Sequence, residues 1–297
     1  MIENKVQKIV SVLFGHLILI IVSLSCLIPF LIILSASFTS ESALVVHGYS
    51  IFPRDLTTNA YKIVMGNSQE LMNSYKVTIF TTVVGSAANL LITIMAAYPL
   101  SRKDYKWNRI FSFYFYFTML FSGGAVPSYI LISNYLHLKN NIFVLILPML
   151  FNVWNVFLLR TYFSKIPSSM WEAAEIDGAG QFKVLFSVVV PMSVTGIATI
   201  LLFVMLAFWN EWYLSLMYMS NERIITLQYF LSRMMSQIDS ILKNQGSALA
   251  GTIDISSMPS ETARMAMCVL AAGPMIFVFL FFQKYFVKGL NLGSVKG

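Results

Sequence analysis

Apolar residues in this 297-residue chain run in six long blocks separated by short polar segments, with no sustained two-residue alternation. The blocks cover roughly 9–34, 77–98, 110–131, 143–162, 192–214 and 265–286. Each is close to the 20 or so residues a helix needs to cross a bilayer, so six transmembrane helices are expected. Gly123, Gly124 and Pro127 interrupt the third block and should end its helix near Phe121. The lack of alternation speaks against an outer-membrane barrel. The first block follows Lys5 and Lys8 as a secretory signal would. It is longer than the usual run of about 7–15 apolar residues and reaches Pro29-Phe30-Leu31 without a small-x-small cleavage site, so it should persist as helix one.

Composition agrees: 57% of residues are hydrophobic and 11% charged, against roughly 45–50% and 25% in soluble domains. The chain is therefore an all-α integral membrane protein of a cytoplasmic membrane, with lipid as its first partner. No repeat or linker divides it, so residues 1–297 read as a single transmembrane domain. Basic residues orient it. Segments 1–8, 99–109, 160–187 and 284–297 hold 12 lysines and arginines in 61 residues, whereas 35–76, 122–141 and 214–264 hold 8 in 113. The positive-inside rule then puts both termini and the 165–191 segment in the cytoplasm. The same bias accounts for the net charge of +7 without nucleic acid.

Nothing in the chain is arranged for chemistry. Cys26 and Cys268 lie within spans, and His16, His47 and His137 are scattered, so neither a disulfide framework nor a metal site is expected. No GxxxxGK[ST] occurs, so the chain has no P-loop for ATP and binds no cofactor of its own. Energy for any transport must come from another subunit.

The polar insert within 165–191 differs from the other loops. Glu172-Ala173-Ala174-Glu175-Ile176-Asp177-Gly178-Ala179-Gly180 leads on to Val188-Val189-Val190-Pro191. Ser169 stands three residues before Glu172, the spacing of a capping box, so a short helix should start there and stop at Gly178. Ala173 and Ala174 keep one side small enough to lie in a groove, while Glu172 and Asp177 offer charge to a basic partner. A second helix from Gln181 carries Phe182, Leu185 and Phe186 back to the membrane, with Pro191 at the turn into span five.

The register of EAA, three residues, Gly, nine residues and a final aliphatic-x-aliphatic-Pro resembles the EAA loop of ABC importer permeases. Val190 stands where that pattern often has Leu. Ala97-Tyr98-Pro99-Leu100-Ser101-Arg102, Phe208-Trp209-Asn210-Glu211-Trp212 and the tail from Phe286 to Gly297 are similar to the carbohydrate branch, which contains the smaller maltose-permease subunit. Phe121-Ser122-Gly123-Gly124 with Pro127 is similar to a subgroup importing oligosaccharides from polysaccharide breakdown. The resemblance implies a type I ABC importer permease fold with a cytoplasmic coupling helix. It implies that Glu172, Ala173, Ala174, Asp177, Gly178, Ala179 and Pro191 couple to an ATPase. The implied partners are a second homologous permease, two ATPase copies carrying ATP and Mg, an extracytoplasmic solute-binding protein and an oligosaccharide. The glycine-bearing tail is either a frayed end or docks between the ATPase subunits.

A sugar path needs hydrogen-bonding groups and flat apolar surfaces inside the membrane. Asn152, Trp154 and Asn155 in span four, with Trp209 and Asn210 in span five, supply both. The asparagines equally suit helix-to-helix bonding, as does Asn89, and tryptophans also form interfacial belts. The outer segment 214–264 carries apolar residues at helical spacing over 224–241 and predicts an amphipathic helix, resting on its own protein or docking a partner. An ATPase-independent secondary transporter or channel predicts paired membrane carboxylates or a repeated half, but only Glu211 and no repeat are found. A non-transporting scaffold leaves the Asn and Trp positions without a purpose. The sugar is not written in the spans. The subgroup resemblance leans toward uronate-containing oligosaccharides.

Overall fold

The computed structural model describes residues 2–248 and 260–293, with burial defined over 12–66, 68–240 and 260–285. The tail reading falls largely outside these, since only its helical backbone to Gly293 is described. Among the described residues the chain is helical, with one isolated bridge between Thr39 and Leu56 and no named strand. Its contacts divide into two compact units, Met1–Ser68 with Leu231–Gly273, and Gln69–Phe230 with Pro274–Gly297.

In the first unit α1 (Ile2–Ser37) carries a span over Val12–Ser37 with mean hydropathy 3.1 and an almost wholly exposed apolar surface. That suits lipid or another apolar subunit rather than water. The short α2 (Glu41–His47) and α3 (Asn59–Val64) follow. Glu41 is buried. Its carboxylate accepts from the backbone N–H groups of Glu261 and Thr262, both at 3.0 Å, and from the hydroxyls of Ser260 and Thr262. These donors surround the start of the last long helix, α14 (Glu261–Gly293), whose first N–H groups lack partners within the helix. Burial alone would raise the Glu41 pKa, but the hydrogen bonds hold it below the ordinary carboxylate value.

The second unit holds most of α4 (Ser68–Ser101), followed by α5 (Asn108–Leu120) and α6 (Ala125–Ile130). α5 stops at the expected place: Phe121 turns extended and Gly124 takes φ +86°, and the chain bends by 105° into α6. The fourth span is also broken. Short 3-10 turns at Ile142–Leu145 and Leu147–Met149 meet α7 (Val153–Phe163) at 49°. Asn89 of α4 braces this break by donating to the Met149 carbonyl at 2.7 Å, and Thr93 donates to Asn89 in turn. Asn89 thus makes the helix contact that suits it.

The fifth span begins with α9 (Gln181–Val184), a π-helical turn Leu185–Val189 and α10 (Val190–Met192). It then turns 87° into α11 (Val194–Trp209). The turn falls at Ser193 and not at Pro191. The π turn has already shifted the hydrogen-bond register, with Val190 N–H reaching the Leu185 carbonyl, so the missing Pro191 N–H is absorbed inside the helix. Among the described residues three continuous helices are long and apolar enough to cross a membrane, and counting each bent pair as one span gives the six expected.

Helices approach closely where side chains vanish. A Cβ on Gly85 of α4 would lie 2.5 Å from the Phe208 ring, and one on Gly196 of α11 would lie 2.4 Å from the Tyr162 ring. Around these contacts Val156, Leu159 and Phe163 of α7 pack with Ile200, Val204 and Phe208 of α11 into one buried cluster. The outer segment contains α12 (Tyr213–Tyr218) and α13 (Leu227–Ala248). α13 is amphipathic as its spacing predicts: Leu227, Phe230, Leu231 and Met234 are buried while Ser232 and Ser236 are exposed.

Candidate functional site

The polar insert folds as two short helices within the second unit, the second being α9. Its first helix, α8 (Ser168–Ile176), starts one residue earlier than the capping box predicts and forms no side-chain cap. The turn after α7 buries Ile166, which leaves Pro167 extended (ψ 136°) in the N-cap position, so Ser169 already lies inside the helix. The C-terminal end matches expectation. Gly178 adopts φ +78°, its N–H bonds the Glu175 carbonyl at 3.0 Å, and the Ala179 N–H bonds the Ala174 carbonyl at 2.9 Å. These two bonds are a Schellman turn, which wants a residue without a Cβ penalty in its left-handed position. No atom lies within 4 Å of where a Gly178 Cβ would be, so glycine is required by conformation and not by space.

The helix has two faces. Trp171 is buried with the membrane-side cluster, and Ala174 and Ala179 pack against it half-buried. Glu172, Ala173, Ile176 and Asp177 face outward, Ile176 with 86% of its surface exposed. The two alanines therefore do not form one small face, because consecutive helical residues lie about 100° apart. Ala174 fits α8 to its own protein, and Ala173 is the small residue left on the open side. Pro191, within α10, is exposed.

Sequence reasoning missed the group that fastens this loop. Arg102, just beyond α4, lays one edge of its guanidinium on Asp104, with Nε to Oδ1 at 2.9 Å and Nη2 to Oδ2 at 2.6 Å. Its remaining Nη1 donates to Glu175 Oε1, to Gln181 Oε1 at 2.9 Å and to the Tyr98 hydroxyl oxygen at 3.2 Å. Tyr98 donates to Gln181 and Gln181 donates to Glu175, closing the network. The Arg102 guanidinium also stands 5.9 Å from the Trp171 ring centre. Hydrogen bonds to Asp104 and Glu175 raise the Arg102 pKa, and the same bonds lower both carboxylates, so all three are charged at neutral pH. The short turn after α4 thus carries the arginine that fastens the loop. The available signal was the four-residue spacing of Tyr98 and Arg102 at a helix end, and of Trp171 and Glu175 on one face of α8.

The pathway candidates are placed differently from one another. Asn152 is the N-cap of α7, its Oδ1 accepting from Asn155 N–H at 3.3 Å, and Asn155 is buried. Trp154 is exposed. Trp209 is buried at the end of α11, and Asn210 caps that helix, donating to the Leu206 carbonyl at 2.9 Å and accepting from Gln228. The structure places these residues at the start of α7 and the end of α11, two helices that pack together. The buried Glu211 accepts from Leu214 N–H at the start of α12.

Comparison with known proteins follows this geometry. The model of the family described as "Binding-protein-dependent transport system inner membrane component" matches residues 9–292. The chain is 33% identical over 282 residues to the polygalacturonan/rhamnogalacturonan transport system permease protein YtcP of Bacillus subtilis, covering 94% of this chain and 96% of that one. It is 34% identical over 271 residues to protein LplC of the same organism, covering 91% and 90%. Among solved structures, a bacterial ABC transporter involved in the import of the acidic polysaccharide alginate superposes with a TM-score of 0.76 at 30% identity, over 93% of this chain and 96% of that one.

Proposed function

The chain belongs to the binding-protein-dependent transport system inner membrane component family, the membrane permeases of ABC importers, and on that premise we propose how it couples, what it carries and with what it assembles. The segment 165–191 docks on a cytoplasmic ATPase. The observation that carries this is the outward face of α8, where Glu172, Ala173, Ile176 and Asp177 stand exposed in the EAA-Gly register. An isoleucine open to water on a helix fixed from behind by Trp171 is the profile of a docking surface. Glu172 supplies charge to a basic cleft, Ala173 allows close approach, and Asp177, Gly178 and Ala179 fix the turn that aims the helix. Trp171, Ala174 and the Arg102 network transmit its displacement inward, and the α9 to α10 segment with Pro191 carries it to α11.

ATP and Mg reside on the partner ATPase, present in two copies. A second, non-identical permease completes the membrane part, and an extracytoplasmic binding protein delivers the cargo. Both termini are cytoplasmic, as the basic segments suggest. The cargo is an oligosaccharide bearing uronate groups. This reading is supported by the similarity to a polygalacturonan/rhamnogalacturonan permease and to an alginate importer. Within the membrane Asn152, Trp154, Asn155, Trp209 and Asn210 contribute to its route, alternating access being driven by ATPase closure.

The test uses the complete transporter purified with its ATPase, partner permease and binding protein. Glu172→Lys, at an exposed position with no intramolecular partner among the described residues, should leave the yield of complex unchanged and abolish stimulation of ATP hydrolysis by loaded binding protein. Full stimulation would refute the docking assignment. Mass spectrometry of ligand trapped on the binding protein identifies the cargo, and a neutral sugar there would overturn the uronate reading.

A further inference from the structure

The docking face explains how force enters α8 but leaves open how it reaches α4, which the chain joins to α8 only through α5, α6 and α7. Resting on the coupling reading above, we propose that Arg102 is a positioning residue that straps the coupling loop to the cytoplasmic end of α4, so that displacement of α8 moves α4 directly. Four observations support the strap.

Arg102 bridges both sides of the Gly178 turn, taking Glu175 before it and Gln181 after it. The turn is the natural pivot between α8 and α9, since no atom lies within 4 Å of the Gly178 Cβ position. The guanidinium is held in place, because Asp104 occupies the Nε and Nη2 edge and leaves Nη1 as the arm that reaches the loop. Finally, Tyr98 ties the network into α4 itself, since its ring is buried in the membrane-side cluster while its hydroxyl bonds Gln181 and accepts from Arg102. A planar fork with donors on two edges serves both carboxylates at once, which a lysine ammonium on a flexible stem cannot reproduce. α4 is a suitable receiver. It runs unbroken for 34 residues and buries Thr78, Thr82, Ser86, Asn89 and Thr93 along one face, including the Asn89 contact that braces the break in span four.

The experiment again uses the whole transporter, with Arg102→Lys, Arg102→Gln, Glu175→Gln and the double Arg102→Gln/Glu175→Gln. The readouts are yield of complex, the ratio of stimulated to unstimulated ATP hydrolysis, and mobility of a nitroxide on Ser169→Cys, an exposed α8 position outside the docking face, with Cys26 and Cys268 replaced by serine. The strap requires that each single variant assemble, lower the stimulation ratio by about fivefold or more, and loosen the label. It requires that the double variant lose no more than Arg102→Gln alone, since the Arg102–Glu175 bond is already gone in that single variant. Arg102→Lys matching the parent in ratio and label mobility would overturn it, as would additive losses in the double variant. If Arg102→Gln fails to assemble, Glu175→Gln decides, because it leaves the Arg102–Asp104 pair intact and takes the charge from the one loop-side carboxylate: a full ratio there refutes the strap. Glu172→Lys separates the two ideas. If it too stays fully stimulated, the docking reading falls. If it is uncoupled while the Arg102 and Glu175 variants are not, only the strap falls.

Discussion

Replacing Gly178 tests whether backbone conformation or available space makes that residue necessary. Its φ of +78° puts the residue in the left-handed region, and its Cβ direction is empty to 4 Å within this chain. An L-residue other than Asn or Asp pays about 1–2 kcal/mol for that region, and a β-branched one more. The turn it completes rests on two backbone bonds, from Gly178 and Ala179, each contributing roughly 0.5–1.5 kcal/mol. Alanine therefore brings the turn close to balance, valine opens it, and asparagine, which tolerates the left-handed region, keeps it closed. Each 1.4 kcal/mol or so is a tenfold change in population. Stimulated ATP hydrolysis by the assembled transporter should thus fall in the order Gly, Asn, Ala, Val, with valine at least tenfold below the parent. Asparagine and valine are similar in size, so a purely steric requirement from a tight partner cleft would make Asn about as harmful as Val and Ala the mildest. That order would refute the conformational argument, and so would a flat series.

Three further outcomes follow from other parts of the chain. With Cys26 and Cys268 replaced, a cysteine at the exposed Lys183 should be shielded from a membrane-impermeant maleimide in intact cells, while one at the exposed Asn221 should react; reversed labelling would overturn the orientation and the docking site with it. Asn155→Leu should slow uptake several-fold at unchanged complex yield, whereas Asn152→Ser, which keeps an N-cap oxygen, should retain assembly; normal uptake by Asn155→Leu would make that asparagine structural only. Because hydrogen bonds hold the Glu41 pKa below the ordinary carboxylate value, its stabilisation of the α14 start is complete above that ordinary value and is lost as pH falls through the depressed one. Melting of the purified transporter should therefore drop on acidification in a way that Glu41→Gln abolishes, and an unchanged pH profile in that variant would exclude Glu41 as the cause.

How much of this was legible in the sequence depended on how local its cause is. The apolar blocks and the stop near Phe121 are short-range patterns, and the structure has helices over the blocks and ends α5 at Leu120. The Gly178 turn is equally local, since glycine after a helical run calls for a left-handed C-cap. The bend at Ser193 was placed two residues early because Pro191 is the usual helix breaker, and only the preceding π turn, invisible in composition, lets the helix run past it. The capping box failed for a tertiary reason: burial of Ile166 fixes where the chain enters α8.

Arg102 shows where sequence patterns run out. It and Tyr98 sat inside a recognised motif, yet Arg102 finds Glu175 73 residues away and Gln181 79 residues away, pairings that no periodicity encodes. By position alone, an arginine next to a span is expected to reach for the headgroups. Geometry argues otherwise, since this guanidinium has only 15% of its side-chain surface exposed and its bonds go to this chain's own side chains. A basic residue at a membrane edge that faces inward and is fully committed to its own loop cannot also serve the headgroups. The open face of α8 and the strap behind it are then complementary: the exposed Glu172 and Ile176 can be pushed only to the extent that Trp171 and Arg102 hold the other side.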